Sequence, residues 1–479
     1  MSRRATPERL FGLGAVLLLL GIGLKAWFDI DSNWDTWAYH LPFAARMWGL
    51  VDATQFVMDD YFQPRYEGFG MFGEYLQGAL WSLTGRPEAA NLAGYLSLLL
   101  FLWFLVRRYA IPFHLAALAL LAVPMIQAHA ATAYIDLPGG LASAAAILLV
   151  YSLYAEPGPV RHSDVLLLVI AAACAANIRL NHMPVVALTV LVALPRLWPQ
   201  FLGDRAARPG RRILGVAALG LAAALVFYTP LRNTLNHGNP VYPMAVTVAG
   251  VELNHTEVAP EEPEIAGLDL PRPLRWLFST LELQPTPFYQ GAWSIDQADT
   301  DCIGGFLGAY VAAHLALLGY LAWRHPCRET RLALLALLLM SLATAVMPNA
   351  ARLRYYLYWM VVLVALNLFL VAHLGRLGRL AQVAWQRALA VVAAITVVVV
   401  LLDTHAVFVR PTFYSFAQFK AKRIDPGVIA GIAAGEQVCP GLAHWQYQFL
   451  YVDRFHGDKR YSVRQANAPQ HCGPARILN

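Results

Sequence analysis

Charge is scarce in this chain. Asp, Glu, Lys and Arg supply only 14% of its 479 residues, against 58% hydrophobic residues and a mean hydropathy of +0.48. No soluble domain of this size is built on so little charge, which leaves a polytopic membrane protein. Cysteine is scarcer still, with five residues and no Cys-x-x-Cys pair, so the spacing gives no sign of a zinc site. Cys302 and Cys327 fall at opposite ends of one expected helix and cannot pair, and Cys174, mid-span, reads as a small buried hydrophobe. Short repeats and low-complexity tracts are also missing, and neither half of the chain duplicates the other, as the halves of many transporters do. The formal charge of +6 does not point to nucleic acid, because arginines placed between apolar runs act as topology signals.

Long apolar runs are what the chain has in abundance. They predict helices over 10–28, 89–106, 111–129, 133–154, 164–180, 182–198, 212–231, 302–323, 331–348, 354–373 and 386–408, about eleven spans in all. The two runs that meet between Asn177 and His182 can also be read as one broken helix. The first run exceeds a signal-peptide core and has no small-residue cleavage site before Trp27-Phe28, so it is expected to be a retained anchor.

Arginines mark alternate loops: Arg3, Arg4 and Arg9; Arg107 and Arg108; Arg161; the run from Arg205 to Arg212; Arg324, Arg328 and Arg331; then Arg376, Arg379 and Arg387. The positive-inside bias puts these loops, and the N-terminus, in the cytoplasm. The polar segments 29–88 and 232–301 and the tail after Arg410 then lie outside, which in the inner membrane of a bacterium is the periplasm. The expected organisation is a membrane domain over 1–409 and a small soluble appendage over 410–479. Within it, Glu257 to Pro273 reads as an irregular loop. Cys439 and Cys472 share the exterior tail, where an oxidising compartment permits a disulfide.

The residues able to do chemistry gather on that exterior side. Asp35 follows the first span in Trp34-Asp-Thr-Trp-Ala-Tyr-His-Leu-Pro42, with Tyr39 and His40 beside it. Trp34, Trp37, Leu41 and Trp48 recur near the helical period, predicting an interfacial helix with its aromatic face in lipid, kinked or started by Pro42 and stopped at Gly49. The plain alternative for Asp35 is a carboxylate at a helix N-terminus. Asp136 opens the fourth run on the same face, where its plain role is also an N-cap. Arg179, Arg352 and Arg354 break the positive-inside pattern and call for an anion, phosphate being the natural one for a guanidinium fork. Tyr355 stands next to Arg354. The plain reading of these arginines is snorkelling to headgroups. His40 and His182 are more often structural than catalytic in such settings. Most of Asp59, Asp60, Arg65, Glu67 and Glu74 are expected to face water.

Three of these exterior stretches occur in a familiar order. Asp35-Thr-Trp-Ala-Tyr-His-Leu-Pro, Asp136-Leu-Pro and Arg232-Asn-Thr-Leu-Asn-His-Gly-Asn-Pro-Val-Tyr-Pro243 resemble the GT-C superfamily of integral-membrane glycosyltransferases. The chain is similar to the lipid A aminoarabinose transferases, the protein O-mannosyltransferases and related bacterial enzymes over roughly residues 10 to 375, in architecture more than identity. The resemblance implies an all-α GT-C-like membrane fold, a sugar donor carried on polyprenyl phosphate, and an acidic first exterior loop whose Asp is the catalytic base. The Asp that matches is Asp35. Thr36 stands where many members have Glu, so the base role falls to Asp35 alone, and Asp136 matches a second acidic position that in some members orients substrate or helps hold a metal. A divalent metal is left open, since a hard cation needs more oxygen ligands than these residues offer.

The residues and the resemblance together predict an inverting glycosyltransferase moving a sugar to a hydroxyl of a glycan, lipid or protein acceptor. Asp35 is its base, and Tyr39, His40, Asp136, Arg179, His182, Arg352, Arg354 and Tyr355 bind substrate. The competing readings are a transporter or flippase of lipid-linked saccharides, whose charges belong near the midplane, and a polymerase or ligase of preassembled glycans built from similar parts.

Overall fold

The computed structural model describes residues 7–156, 158–201, 209–245, 247–248, 250–252, 270–283, 305–457 and 459–478. Helices dominate. In chain order they are α1 (Pro7–Phe28), α2 (Leu41–Met47), α3 (Phe62–Gly68), α4 (Phe72–Thr84), α5 (Leu92–Tyr109), α6 (Phe113–Leu121), α7 (Pro124–His129), α8 (Asp136–Ala155), α9 (His162–Ile178), α10 (Met183–Phe201), α11 (Pro209–Val226) and α12 (Tyr228–His237). After them come α13 (Arg272–Leu281), α14 (Gly308–Arg324), α15 (Arg328–Ala345), α16 (Leu357–Arg376), α17 (Gln382–Asp403), α18 (Phe416–Arg423) and α19 (Pro426–Ala430).

Where it is described, every run expected to span lies on a helix or a helix pair, but a count of eleven spans is not confirmed. Among the described residues six helices are long and apolar enough to cross a bilayer, or seven if a bent pair is one span. Proline accounts for part of the difference. The run over 111–129 breaks between α6 and α7, where Pro124 starts the second helix and has no N–H to continue the first. The run over 212–231 bends by 74° between α11 and α12, just before Pro230. Helices α9 and α14 are 17 residues each, at the lower end of the spanning range.

The membrane core is packed around α16, of which every residue from Leu357 to Ala372 is buried, and α8, which lies against it. Gly140 sits at their crossing: a Cβ there would lie 3.1 Å from the Leu357 Cβ and 3.3 Å from the Tyr358 nitrogen. Small residues let membrane helices approach in this way.

A second core lies outside the bundle. Strands β1 (Phe56–Val57), β4 (Gln437–Pro440), β5 (Ser462–Arg464) and β6 (Arg476–Leu478) form a parallel sheet in the order β1-β5-β4-β6, and β2 (Thr247–Val248) pairs with β3 (Val251–Glu252) elsewhere. Strand β1 belongs to the first exterior loop and the others in its sheet to the tail, so the two segments build one lobe. Val463 N donates to Gln55 O at 2.8 Å, and Gln465 Nε2 to Ala38 O at 3.0 Å. Cys439 and Cys472 are disulfide-bonded, as their shared compartment suggested, with Cα atoms 5.8 Å apart.

This lobe corrects the lipid-facing helix expected after Trp34. Trp37 is fully buried against Phe416, Phe419 and Phe449 of the tail, and Leu41 joins the same core. The aromatic period is real, but protein covers it. The Arg205 to Arg208 part of the arginine run, Cys302 and most of the loop from Glu257 to Pro273 lie outside the described residues.

Candidate functional site

The segment after α1 is held by Asp31. Its carboxylate accepts from Asn33 N at 3.0 Å, Thr36 Oγ1 at 2.6 Å and Ala133 N at 2.8 Å, and its carbonyl accepts from Trp37 Nε1 at 2.7 Å. Burial pushes the Asp31 carboxyl above the usual carboxylate range, and these hydrogen bonds offset only part of that rise. Thr36, at the position that is Glu in many GT-C members, is thus turned toward Asp31. The bond to Ala133 brings the first exterior loop against the start of α8, where Asp136 lies.

Residues Thr36–His40 form a π-helical turn that runs directly into α2. Such turns widen the helix and often occur at functional sites. Asp35 stands at its N-cap but its side chain makes no capping hydrogen bond, so the capping role does not describe it. Instead the Asp35 Oδ2 lies 2.9 Å from the Arg354 Nη1, with both side chains less than 10% exposed. Arg354 comes from a 3₁₀ turn, Leu353–Tyr356, that precedes α16.

A second pair stands beside the first. Asp136, fully buried at the start of α8, is ion-paired with Arg179, and its Oδ2 has no hydrogen-bond partner. Arg179 has an extended backbone between α9 and the 3₁₀ turn Leu180–His182, so the chain breaks at the expected junction near Asn177 to His182. The two arginines meet on Tyr355. Its ring centroid is 4.1 Å from the Arg179 guanidinium and 5.1 Å from that of Arg354, whose Nη2 donates to the Tyr355 hydroxyl at 3.3 Å. Tyr134 lies 5.1 Å from Arg354 on another side. Arg179 is the most open of the four charged groups, with 18% of its side chain exposed.

Among the expected site residues, Asp35, Asp136, Arg179, Arg354 and Tyr355 therefore converge. Tyr39 lies in the field of this cluster, and burial, with the Asp35 charge adding to it, pushes its hydroxyl pKa well above the ordinary tyrosine range. His40 stands next to the cluster and pairs with Glu74 at 2.8 Å, leaving Nε2 without a partner. His182 is hydrogen-bonded to Ser143 at 3.0 Å and sits against Gly139, one turn along α8 from Asp136. Arg352 is half-buried and forms no ion pair among the described residues, so it does not join Arg354.

Several residues were not singled out by the sequence. Glu74, Asp59 and Arg65 are all buried, not water-facing, and Glu74 is the partner of His40. His129 is fully buried beside Tyr134, with ring centroids 5.0 Å apart and neither imidazole nitrogen hydrogen-bonded. Pro124, which starts the short helix ending at His129, was the available signal.

The donor set does not fit a resident divalent ion. Both carboxylates are taken by arginines, and no three His, Cys, Asp or Glu side chains among the described residues are placed to share a cation.

No family model and no curated protein matches the sequence. Two solved structures match. The crystal structure of ArnT from Cupriavidus metallidurans bound to undecaprenyl phosphate has 16% sequence identity and a TM-score of 0.50, covering 98% of this chain and 89% of that one. ArnT from the same organism in the apo state has 14% identity and a TM-score of 0.49, covering 92% and 84%. The first similarity shows a fold like that of ArnT, and the apolar helices make the chain a multi-pass membrane protein.

Proposed function

We propose that the chain is an inverting glycosyltransferase that moves a sugar from a polyprenyl-phosphate donor to an acceptor hydroxyl, with Asp35 as general base. One observation carries this reading: in a chain so poor in charge, two carboxylates and two arginines from separate segments meet at one end of an apolar bundle. Buried charges are costly and are kept where they act. The fold supports the donor class, since the ArnT structure of like fold binds undecaprenyl phosphate.

The chemistry needs three things at one place. A carboxylate takes the acceptor's proton as its oxygen attacks the sugar carbon. Guanidiniums receive the charge that grows on the leaving phosphate. Polar groups beside them hold the sugar, a role assigned to Tyr39, His40, Asp136 and His182. Attack from the face opposite the phosphate inverts the anomeric centre. A transporter would set its charges along a path through the membrane, whereas this cluster is confined to the exterior end of α8 and α16. The positive-inside bias supports a reading in which that end faces the bacterial periplasm, with the N-terminus in the cytoplasm and the tail outside.

Binding of undecaprenyl phosphate to the purified protein tests the arginine assignment. Arg179→Ala and Arg354→Ala should each weaken it by roughly tenfold or more, as expected for loss of a charge-assisted fork. Lys at either position should restore it only in part. Unchanged binding in both Ala variants contradicts the reading.

A further inference from the structure

We infer that Arg354 passes from Asp35 to the leaving phosphate during the reaction, so that protonation of the base and charging of the leaving group are one coupled event. The inference rests on the glycosyltransferase reading above and concerns how the same site is regulated. Its observation is the pairing itself. A general base ion-paired with an arginine at 2.9 Å, in a place where both are buried and the paired Asp35 oxygen makes no hydrogen bond, is a poor proton acceptor until that arginine has another anion, yet it is held by charge alone and not by hydrogen-bond geometry.

The charge balance supplies the reason to move. The donor phosphodiester carries one negative charge. When the acceptor oxygen bonds to the anomeric carbon, the bond from that carbon to the phosphate oxygen breaks, and its electron pair stays on the phosphate. The departing monoester then carries nearly two negative charges. In the same step the acceptor proton goes to Asp35, which becomes neutral and no longer needs a cation. The negative charge of the site is conserved, but its centre moves from the carboxylate to the phosphate. A single guanidinium shared by the two sites follows it.

The geometry suits Arg354 to this task and Arg179 to a fixed one. Arg179 is directly paired with Asp136, which is fully buried and takes no part in the proton transfer, so that pair has no reason to open. Arg354 is bounded by the Tyr134 and Tyr355 rings, which stabilise a cation wherever it sits along their faces, and its Nη2 donates to the Tyr355 hydroxyl at 3.3 Å, on the side of Arg179. Tyr355 also carries the Arg179 guanidinium at 4.1 Å, so a phosphate engaged by Arg179 lies one aromatic ring away from Arg354. Before donor arrives, the Asp35–Arg354 pair keeps the base occupied, which guards against wasteful activation of water.

The test uses full-length protein in detergent with undecaprenyl phosphate as the probe. Asp35→Asn imitates the protonated base and releases Arg354, so this variant should bind the probe roughly tenfold more tightly than wild type. Combining it with Arg354→Ala should erase the gain. Loss of the carboxylate charge alone would strengthen binding with or without Arg354, so a gain that survives in the double variant overturns the inference, as does equal or weaker binding by a folded Asp35→Asn. Wild type gives a second readout that does not depend on the variant folding. In a structure of the wild-type complex with the probe, Arg354 should contact the phosphate and should have left Asp35. An Arg354 that keeps the Asp35 pair in that complex also overturns the inference. Either result leaves the glycosyltransferase reading standing, because that reading is tested separately, by binding in the arginine variants and by turnover.

Discussion

At the scale of single residues, the aspartates that follow α1 have different partners. Asp29 ties the end of α1 to the tail: its carboxylate accepts from Thr412 N and Oγ1 and from Tyr414 N, and it is paired with Lys25 at 2.9 Å. Burial acts to raise its pKa, but these partners outweigh burial and hold it below the ordinary carboxylate value. A lowered native pKa contributes stability above the unfolded pKa and loses it as pH falls through the native one. Asp29→Asn should therefore lower the melting temperature near pH 7, and the gap to wild type should narrow as pH drops through the carboxylate range. A gap that stays constant with pH would show that charge at Asp29 is not what holds the tail. The sequence singled out Asp35, Asp136, Arg179 and Arg354 because charge between apolar runs is conspicuous. It gave no such weight to Glu74, Asp31 and His129, whose burial and partners come from contacts between segments distant in the chain.

At the scale of elements, hydrophobic runs located the helices well and their ends and breaks less well. A run of apolar residues reports that a segment is buried, in lipid or in protein, but not which. That is why Trp37 and Leu41 showed a correct period and an incorrect environment, since the covering surface belongs to residues beyond 410. Proline was the signal for the α6–α7 break and was legible in principle. The α8–α16 crossing offers an element-level test. Gly140→Val would push side-chain atoms into Leu357 and the Tyr358 backbone, with an expected loss of about 1–3 kcal/mol from overpacking. Gly220→Ala in α11 meets nothing within 4 Å and should leave stability unchanged or slightly higher. Thermal denaturation of the two variants checks the pair, and equal effects would contradict the close approach of α8 and α16.

At the scale of the whole molecule, the membrane bundle supplies Asp136, Arg179 and Arg354, while the exterior lobe supplies Asp35 and Tyr39. The site exists only where the two meet. Hydropathy and the arginine bias were enough to expect an exterior site, but not to show that the tail would stitch the first loop in place through β1 and β5. Shortening the chain after Ile432 should remove β4, β5 and β6, uncover Trp37 and Phe56, and abolish function while the membrane helices still insert. Membrane extraction together with an activity assay checks this, and a fully active truncated protein would contradict a site shared between lobe and bundle. The central claim is base catalysis by Asp35 on a lipid-phosphate sugar. Its most direct test is the release of undecaprenyl phosphate from a panel of undecaprenyl-phosphate sugars by proteoliposomes supplied with envelope acceptors. Wild type should release lipid phosphate from at least one member of the panel, and folded Asp35→Asn should do so slower by roughly 10²-fold or more, the scale of general-base loss. Release by Asp35→Asn at the wild-type rate, or none by wild type from any donor, would contradict the account.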